Sequence, residues 1–259
     1  KIKLTAATRG VIPVHMAGYP CDMLPIVNLC QSNNLILIED CAHAIGTTSH
    51  GLHAGNYGIT GNFSFYPTKQ ITTGEGGMVI SNDDKISAEV RKLKAFGIDT
   101  PPEMRKKPGL YDVQGLGYNY RMTDFQAALG FGQMERYEEN LKKRQKNGKY
   151  FAKLLADTEA IDFPEYSDDN SYFLFQVILN EQIDRDTILL KLKEKGIGVS
   201  IHYATPVPLM SYYRIKYGFE EKDYPNAVKY GNQSISLPVH SKINYNDIEY
   251  ICSSIQSFI

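Results

Sequence analysis

The sequence predicts an α/β fold, and three observations carry that prediction. Leu35-Ile36-Leu37-Ile38 is a continuous apolar run, as expected of a strand buried on both faces. A helix-length segment precedes it and further short strands follow, as in an open α/β sheet. Beyond about Ala156 the pattern changes to a smaller α+β arrangement.

In chain order, Gly10–His15 reads as a strand. Asp22 caps a helix to about Asn33, with Pro25 tolerated in the first turn because that nitrogen needs no partner there. The Leu35–Glu39 strand follows, and Phe63–Tyr66 and Met78–Ser81 are two more short strands. A helix from about Asp84 to Phe96 sets Ile86, Val90 and Leu93 on one face and stops at Gly97. Ile98–Tyr120 is a long loop rich in glycine, proline and tyrosine, a length that goes with function or mobility. Thr123 and Gln126 form a capping-box pattern, so a helix starts there. It runs, whole or in two pieces, to about Ala156 and links two domains. Tyr172–Leu179 is a strand, Asp184 or Asp186 caps a helix to about Lys195, and Gly196 ends it. Ile197–Ile201 is another strand. The terminal helix carries Ile248, Ile251, Cys252, Ile255 and Phe258 at helical spacing, with Asn244 or Asn246 as its cap.

Lys69 lies between Ser64-Phe65-Tyr66-Pro67-Thr68 and Gln70-Ile71-Thr72-Thr73-Gly74-Glu75-Gly76-Gly77. A lysine on a short loop after an apolar strand suits a Schiff base if its surroundings lower its pKa. The glycines let backbone approach a flat ring or a phosphate. Alone, the stretch is ambiguous, and a lysine beside glycines is usually a solvated loop residue. It does not fit the G-x-x-x-x-G-K-[ST] phosphate cradle, because the lysine precedes the glycines. Asp40 stands at the carboxyl end of the Leu35–Ile38 strand, where ligands of open α/β sheets bind. A pyridoxal cofactor needs a carboxylate beside its ring nitrogen to keep that nitrogen protonated. His43, three residues on, can bond to or pack on such a ring. The competing readings are a helix cap for Asp40 and a packed structural histidine for His43.

Several ordered motifs now point one way. They are Val11-Ile12-Pro13-Val14-His15 with Gly18-Tyr19-Pro20 and Asp22-Met23; Glu39-Asp40-Cys41-Ala42-His43-Ala44; Ser64 through Gly77; and Gly117-Tyr118-Asn119-Tyr120-Arg121-Met122-Thr123-Asp124 with Gln126-Ala127-Ala128. Ile201-His202-Tyr203 and Ser236-Leu237-Pro238 complete the set. With them the chain resembles the DegT/DnrJ/EryC1/StrS sugar aminotransferases, pyridoxal 5'-phosphate enzymes of fold type I. The resemblance implies the C-terminal part of a large mixed-sheet domain at 1–145 and a small α+β domain at 146–259. It also implies site roles. Lys69 would carry the cofactor as a Schiff base and shuttle protons. Asp40 would pair with the ring nitrogen, and His43 would contact the ring or its phenolic oxygen. Ser64 would bind the phosphate, and Asn119 would reach it from the neighbouring subunit. Tyr66, Arg121, His202 and Tyr203 would contact substrate. Gln70 stands where the family commonly has asparagine. The retained lysine argues against the family's dehydratase branch, where histidine replaces it.

The same resemblance implies that on the order of a hundred residues precede Lys1. They would bring a phosphate-holding turn and a ring-stacking aromatic. The implied activity is transfer of an amino group, from glutamate, to a nucleotide-linked keto-deoxysugar by a homodimer with shared sites. The alternative is a non-catalytic sugar-nucleotide binding or regulatory protein derived from such an enzyme.

Composition narrows the field further. The 259 residues suffice for one or two domains with a sizeable core. A net charge of −1 gives no basic footprint for nucleic acid. Cys21, Cys30, Cys41 and Cys252 form no C-x-x-C pair, which fits reduced thiols and a cytoplasmic location. No run approaches the roughly 18 apolar residues of a membrane span. His50-x-x-His53 with Cys41 and His43 could be imagined around zinc, but the glycine-rich stretch lacks convergent ligands, and we expect no metal. No G-x-S-x-G elbow supports a hydrolase.

Overall fold

The computed structural model describes residues 3–98, 100 and 102–259. Residues 1 and 2, where the expected first domain begins, and two positions of the predicted 98–120 loop lie outside the described residues. The chain divides into two compact units, Lys1–Glu138 and Glu139–Ile259.

The first unit is built on a four-stranded sheet. Its strands are β1 (Gly10–Val11), β2 (Ile36–Asp40), β5 (Thr60–Ser64) and β6 (Gly77–Ile80), in the order β1-β2-β5-β6. The first three run parallel, and β6 is antiparallel to β5. Helix α1 (Met23–Ser32) crosses from β1 to β2. A small hairpin, β3 (Thr48–Ser49) and β4 (Leu52–His53), occupies a stretch that the sequence marks only as loop. The predicted Gly10–His15 strand is shorter than expected, with one further parallel bridge from Val14 to Asp40.

The expectation that β2 is buried on both faces is not met. Leu37 and Glu39 are buried, whereas Ile36 is half exposed and Ile38 and Asp40 are partly exposed. The reason is one-sided packing. Leu37 joins Met23 and Cys30 of α1 in a core cluster with Val11, Ile26, Val27 and Leu35 packed around it. Asp22 takes the cap position of α1, but its side chain makes no capping bond. Its Oδ1 lies 3.1 Å from His50 Nε2 instead.

Helix α2 (Asp84–Leu93) is capped by Asp83, whose carboxylate accepts from the amides of Lys85 and Ile86. The helix stops at Leu93, three residues short of the predicted Phe96, and Phe96 (φ 65°) and Gly97 (φ 73°) are both left-handed in the turn that follows. Helix α3 (Asp124–Met134) starts in the predicted Thr123/Gln126 capping box. Helix α4 (Tyr137–Leu155) follows at once, so the long predicted helix is two pieces.

The second unit closes around an antiparallel sheet, β7 (Ile161–Asp162), β8 (Phe175–Leu179) and β9 (Ser234–Leu237). Phe151 and Phe175 stack with centroids 4.8 Å apart, and both are buried with Leu155, Val177, Leu179, Ile235 and Leu237. Gly148 lets α4 lie against the Tyr172 ring, which a Cβ there would meet at 2.5 Å. Helices α5 (Arg185–Glu194), α6 (Ser211–Tyr217), α7 (Pro225–Gln233) and α8 (Tyr245–Gln256) complete the unit. Asn244 caps α8 with a capping box. The predicted Ile197–Ile201 strand reduces to one bridge, Ser200 to Ser236. All four cysteines are free thiols.

Candidate active site

Three hydrogen bonds fix Asp40 at the end of β2. Its amide donates to Pro13 O at 3.0 Å, and its carbonyl accepts from the His15 amide at 3.2 Å. Its Oδ1 accepts from the Ala42 amide at 3.0 Å. The chain then turns, and His43 is buried. The Ala17 amide donates to His43 Nδ1 at 3.3 Å, so the ring's proton sits on Nε2. Ala17 holds a left-handed conformation, φ 58°, to aim that amide.

Behind Asp40 lies a wholly enclosed polar pair, His15 and Glu39, at 3.1 Å. Glu39 Oε2 also accepts from the Gly55 amide, and Oε1 accepts from the amides of Tyr57 and Gly58, all at 2.7–2.8 Å. Burial opposes the charge on Glu39, but His15 and these three amides outweigh it and hold the carboxyl below its ordinary value. Burial likewise disfavours a charged His15, while bonds with Cys21, Cys41 and Glu39 lift its pKa to about 11. The Cys21 amide argues the other way, because it donates to Nδ1 at 3.1 Å and an accepting nitrogen carries no proton. That geometry decides for the Nε2–H tautomer, which donates to Glu39.

Lys69 sits on the turn after β5. Its amide donates to Tyr66 O at 2.9 Å, and the loop closes through Phe65 N to Gly76 O and Thr73 N to Phe65 O. Partial burial pushes the Lys69 pKa below its ordinary value, while the nearby Asp40 charge pulls it back up. The amine and the carboxylate therefore share one electrostatic neighbourhood. Ser64, at the end of β5, is partly buried and accepts from the Tyr66 amide at 3.3 Å. Tyr66 itself is about half exposed.

Helix α3 holds this loop. Gln133 Nε2 donates to Thr72 O at 2.6 Å, and Gln133 Oε1 accepts from the Thr72 amide at 3.1 Å. Gln126 Nε2 donates to Glu75 O at 2.9 Å. Tyr137 Oη donates to Ile45 O at 2.5 Å and lies 3.1 Å from the Gln70 amide oxygen, tying the loop to the turn after β2. Sequence reasoning missed His15, Glu39, Gln133 and Tyr137 as supports. The pairings His15 with Glu39, Gln133 with Thr72 and Tyr137 with Ile45 span 24, 61 and 92 residues, and no local pattern encodes them.

The remaining candidates form other groups. Arg121 Nε donates to Asn119 Oδ1 at 3.2 Å, and its guanidinium lies 4.4 Å over the Phe96 ring. His202 and Tyr203 belong to the second unit. His202 Nδ1 lies 3.0 Å from Ser236 Oγ, and the Tyr203 ring meets the His202 ring edge-on.

The imagined histidine metal set is otherwise engaged. His53 accepts the Gly46 amide on Nε2 and donates through Nδ1 to Ala54 O, and His50 pairs with Asp22. Among the described residues, His15, Glu39 and Cys41 converge closely enough for a metal. The acceptor sites of His15 and Glu39 are already taken by amides and by each other.

A parallel sheet with one antiparallel strand, a carboxylate at a strand end and a lysine on the neighbouring loop define a fold type I transferase of the pyridoxal phosphate class. The DegT/DnrJ/EryC1/StrS aminotransferase family matches residues 1–256, and the chain belongs to that family. It is 31% identical over 271 residues to the spore coat polysaccharide biosynthesis protein SpsC of Bacillus subtilis, covering 100% of this chain and 69% of that one. It is 33% identical over 261 residues to GDP-perosamine synthase of Caulobacter vibrioides, covering 99% and 67%. The putative sugar aminotransferase Spr1654 of Streptococcus pneumoniae, solved in its PMP form, superposes with a TM-score of 0.88 at 26% identity, covering 98% and 70%. No described helix is long and apolar enough to cross a membrane.

Proposed function

We propose that this chain is a pyridoxal 5'-phosphate-dependent aminotransferase that moves an amino group, from glutamate, to the keto carbon of a nucleotide-linked deoxysugar. The observation that carries the reading is Lys69, an amine pushed toward neutrality by burial with Asp40 as its charged neighbour. That donor set fits the cofactor: an amine able to react, a fixed carboxylate, and an Nε2–H imidazole at His43. When bound, the pyridine ring supplies an electron sink for carbanion chemistry at the amine-bearing carbon. Lys69 Nζ would hold the cofactor and move the proton at the reacting carbon. Asp40 would keep the ring nitrogen protonated, and His43 Nε2–H would donate to the ring's phenolic oxygen. Ser64 and the Asn119 side chain of a neighbouring subunit would hold the phosphate, in a homodimer with shared sites. Tyr66, Arg121, His202 and Tyr203 are proposed as substrate contacts.

The similarity to a spore coat polysaccharide biosynthesis protein and to a GDP-perosamine synthase supports a place in surface-polysaccharide or modified-sugar synthesis, in the cytoplasm. The test is amino transfer from glutamate across a panel of nucleotide ketosugars, with cofactor absorbance followed in parallel. Amination of at least one sugar is expected. Tight cofactor binding with no sugar aminated would overturn the assignment of substrate. No cofactor band at all would favour a binding protein instead.

A further inference from the structure

We propose that His15 and Glu39 act as a positioning pair for Asp40, and so for the charge that faces the cofactor. The inference rests on the reading of Asp40 given above. Glu39 and Asp40 are neighbours on β2, so their side chains leave on opposite faces. One end of the His15 residue grips each of them. Its main-chain N–H donates to the Asp40 carbonyl at 3.2 Å, and its ring donates to Glu39 at 3.1 Å. The bonds of Glu39 then fasten the 55–58 segment, and the Cys21 amide fastens the His15 ring. Asp40 is thus bracketed from both sides of its strand.

Packing alone does not call for this pair. A buried carboxylate carries a desolvation cost, and apolar residues of similar volume often serve stability as well or better. A polar lock with fixed directions does what an apolar contact cannot: it sets the angle of the strand end, and with it the Asp40 carboxylate. Misplacement of a charged group by a fraction of its working distance weakens catalysis without removing any reacting atom.

A double-mutant cycle in the cofactor-loaded protein tests this. His15→Phe removes the ring bonds. Its kcat should fall about 10- to 100-fold with KM for the sugar unchanged, and the cofactor Kd should rise. In the Asp40→Asn background the same substitution should have no further effect on kcat or on cofactor Kd. His15→Gln, which keeps an N–H for Glu39, should recover most of the loss. Glu39→Gln carries the same cycle if His15→Phe does not fold. Thermal melting of the cofactor-free protein reports any purely structural effect. Equal fractional losses in both backgrounds, or a lower melting temperature with unchanged kcat and Kd, would overturn the positioning role. If Asp40→Asn alone left kcat and cofactor Kd unaltered, the role of Asp40 itself would fall, a result distinct from the others.

Discussion

Strands β8 and β9 of the second unit bury eight of their nine residues, whereas none of the four residues of β6 in the first unit is buried. The helices follow suit. Helix α8 buries Ile248, Ile251, Cys252, Ser254 and Ile255, while α2 and α3 bury no residue among those described. The first unit concentrates its enclosure elsewhere. Among the described residues, the buried histidines and carboxylate, His15, Glu39 and His43, all lie there. The second unit's buried charge is Arg185, which donates to Gly231 O and Ser234 O at the end of α7, where a cation is favoured. The first unit thus gathers its buried imidazoles and carboxylate around a strand end, while the second buries the larger apolar core. Stability and chemistry should therefore respond to different substitutions.

The largest effect expected is on chemistry. Lys69→Ala should lower amino transfer by about 10²- to 10⁴-fold or more, through loss of the proton carrier and covalent anchor. The melting temperature of the cofactor-free protein should barely move, because Lys69 is only partly buried. Steady-state rates with cofactor and calorimetry without it check both halves; near-normal turnover would break the assignment. Phe175→Ala should do the reverse. It should cost about 3–5 kcal/mol in denaturant unfolding, with turnover per folded molecule unchanged. A stability loss below 1 kcal/mol, roughly the Ile→Val scale, would mean that the Phe151–Phe175 stack is not the keystone of that core.

A smaller effect sharpens the contrast through acid. Glu39 titrates below its ordinary value of 4.5 in the fold, so its stabilisation is complete above pH 4.5 and is lost as the pH falls through the folded value. Over that window wild type should lose up to about 1.4 kcal/mol per pH unit that Glu39→Gln does not lose. Urea midpoints measured between pH 5 and 3 test it, and parallel slopes for the two proteins would contradict it. The smallest effect belongs to α3. Phe125 is 83% exposed, and Phe125→Ser should change stability by no more than about 0.5 kcal/mol.

Much of the frame was legible because it is written locally. The β2 run, the Thr123/Gln126 capping box, the Asn244 cap and the left-handed Gly196 each announce themselves within a few residues. The Lys69 and Asp40 neighbourhood was legible through motif order rather than physics, since nothing local brings residues 29 apart together. What stayed hidden depends on distance or on competition. The β3–β4 hairpin read as glycine-rich loop. Asp22 looked like a capping residue, yet His50 claims its carboxylate. The Ile197–Ile201 segment has strand composition, but it pairs with β9 only at Ser200 and Ser236. Burial on one face of β2 could not be distinguished from burial on two, because an apolar run records hydrophobicity and not which neighbours the chain supplies.

The clasp that α3 places on the lysine loop constrains the length of that helix more than its composition. Gln126 and Gln133 are seven residues apart, close to two full turns, so both reach the same segment. Inserting one residue between them would swing Gln133 by about 100° around the helix axis and release Thr72. Phe125 and Phe131 point away from this clasp, but an insertion or deletion between residues 126 and 133 would be felt at Lys69, some sixty residues earlier in the chain.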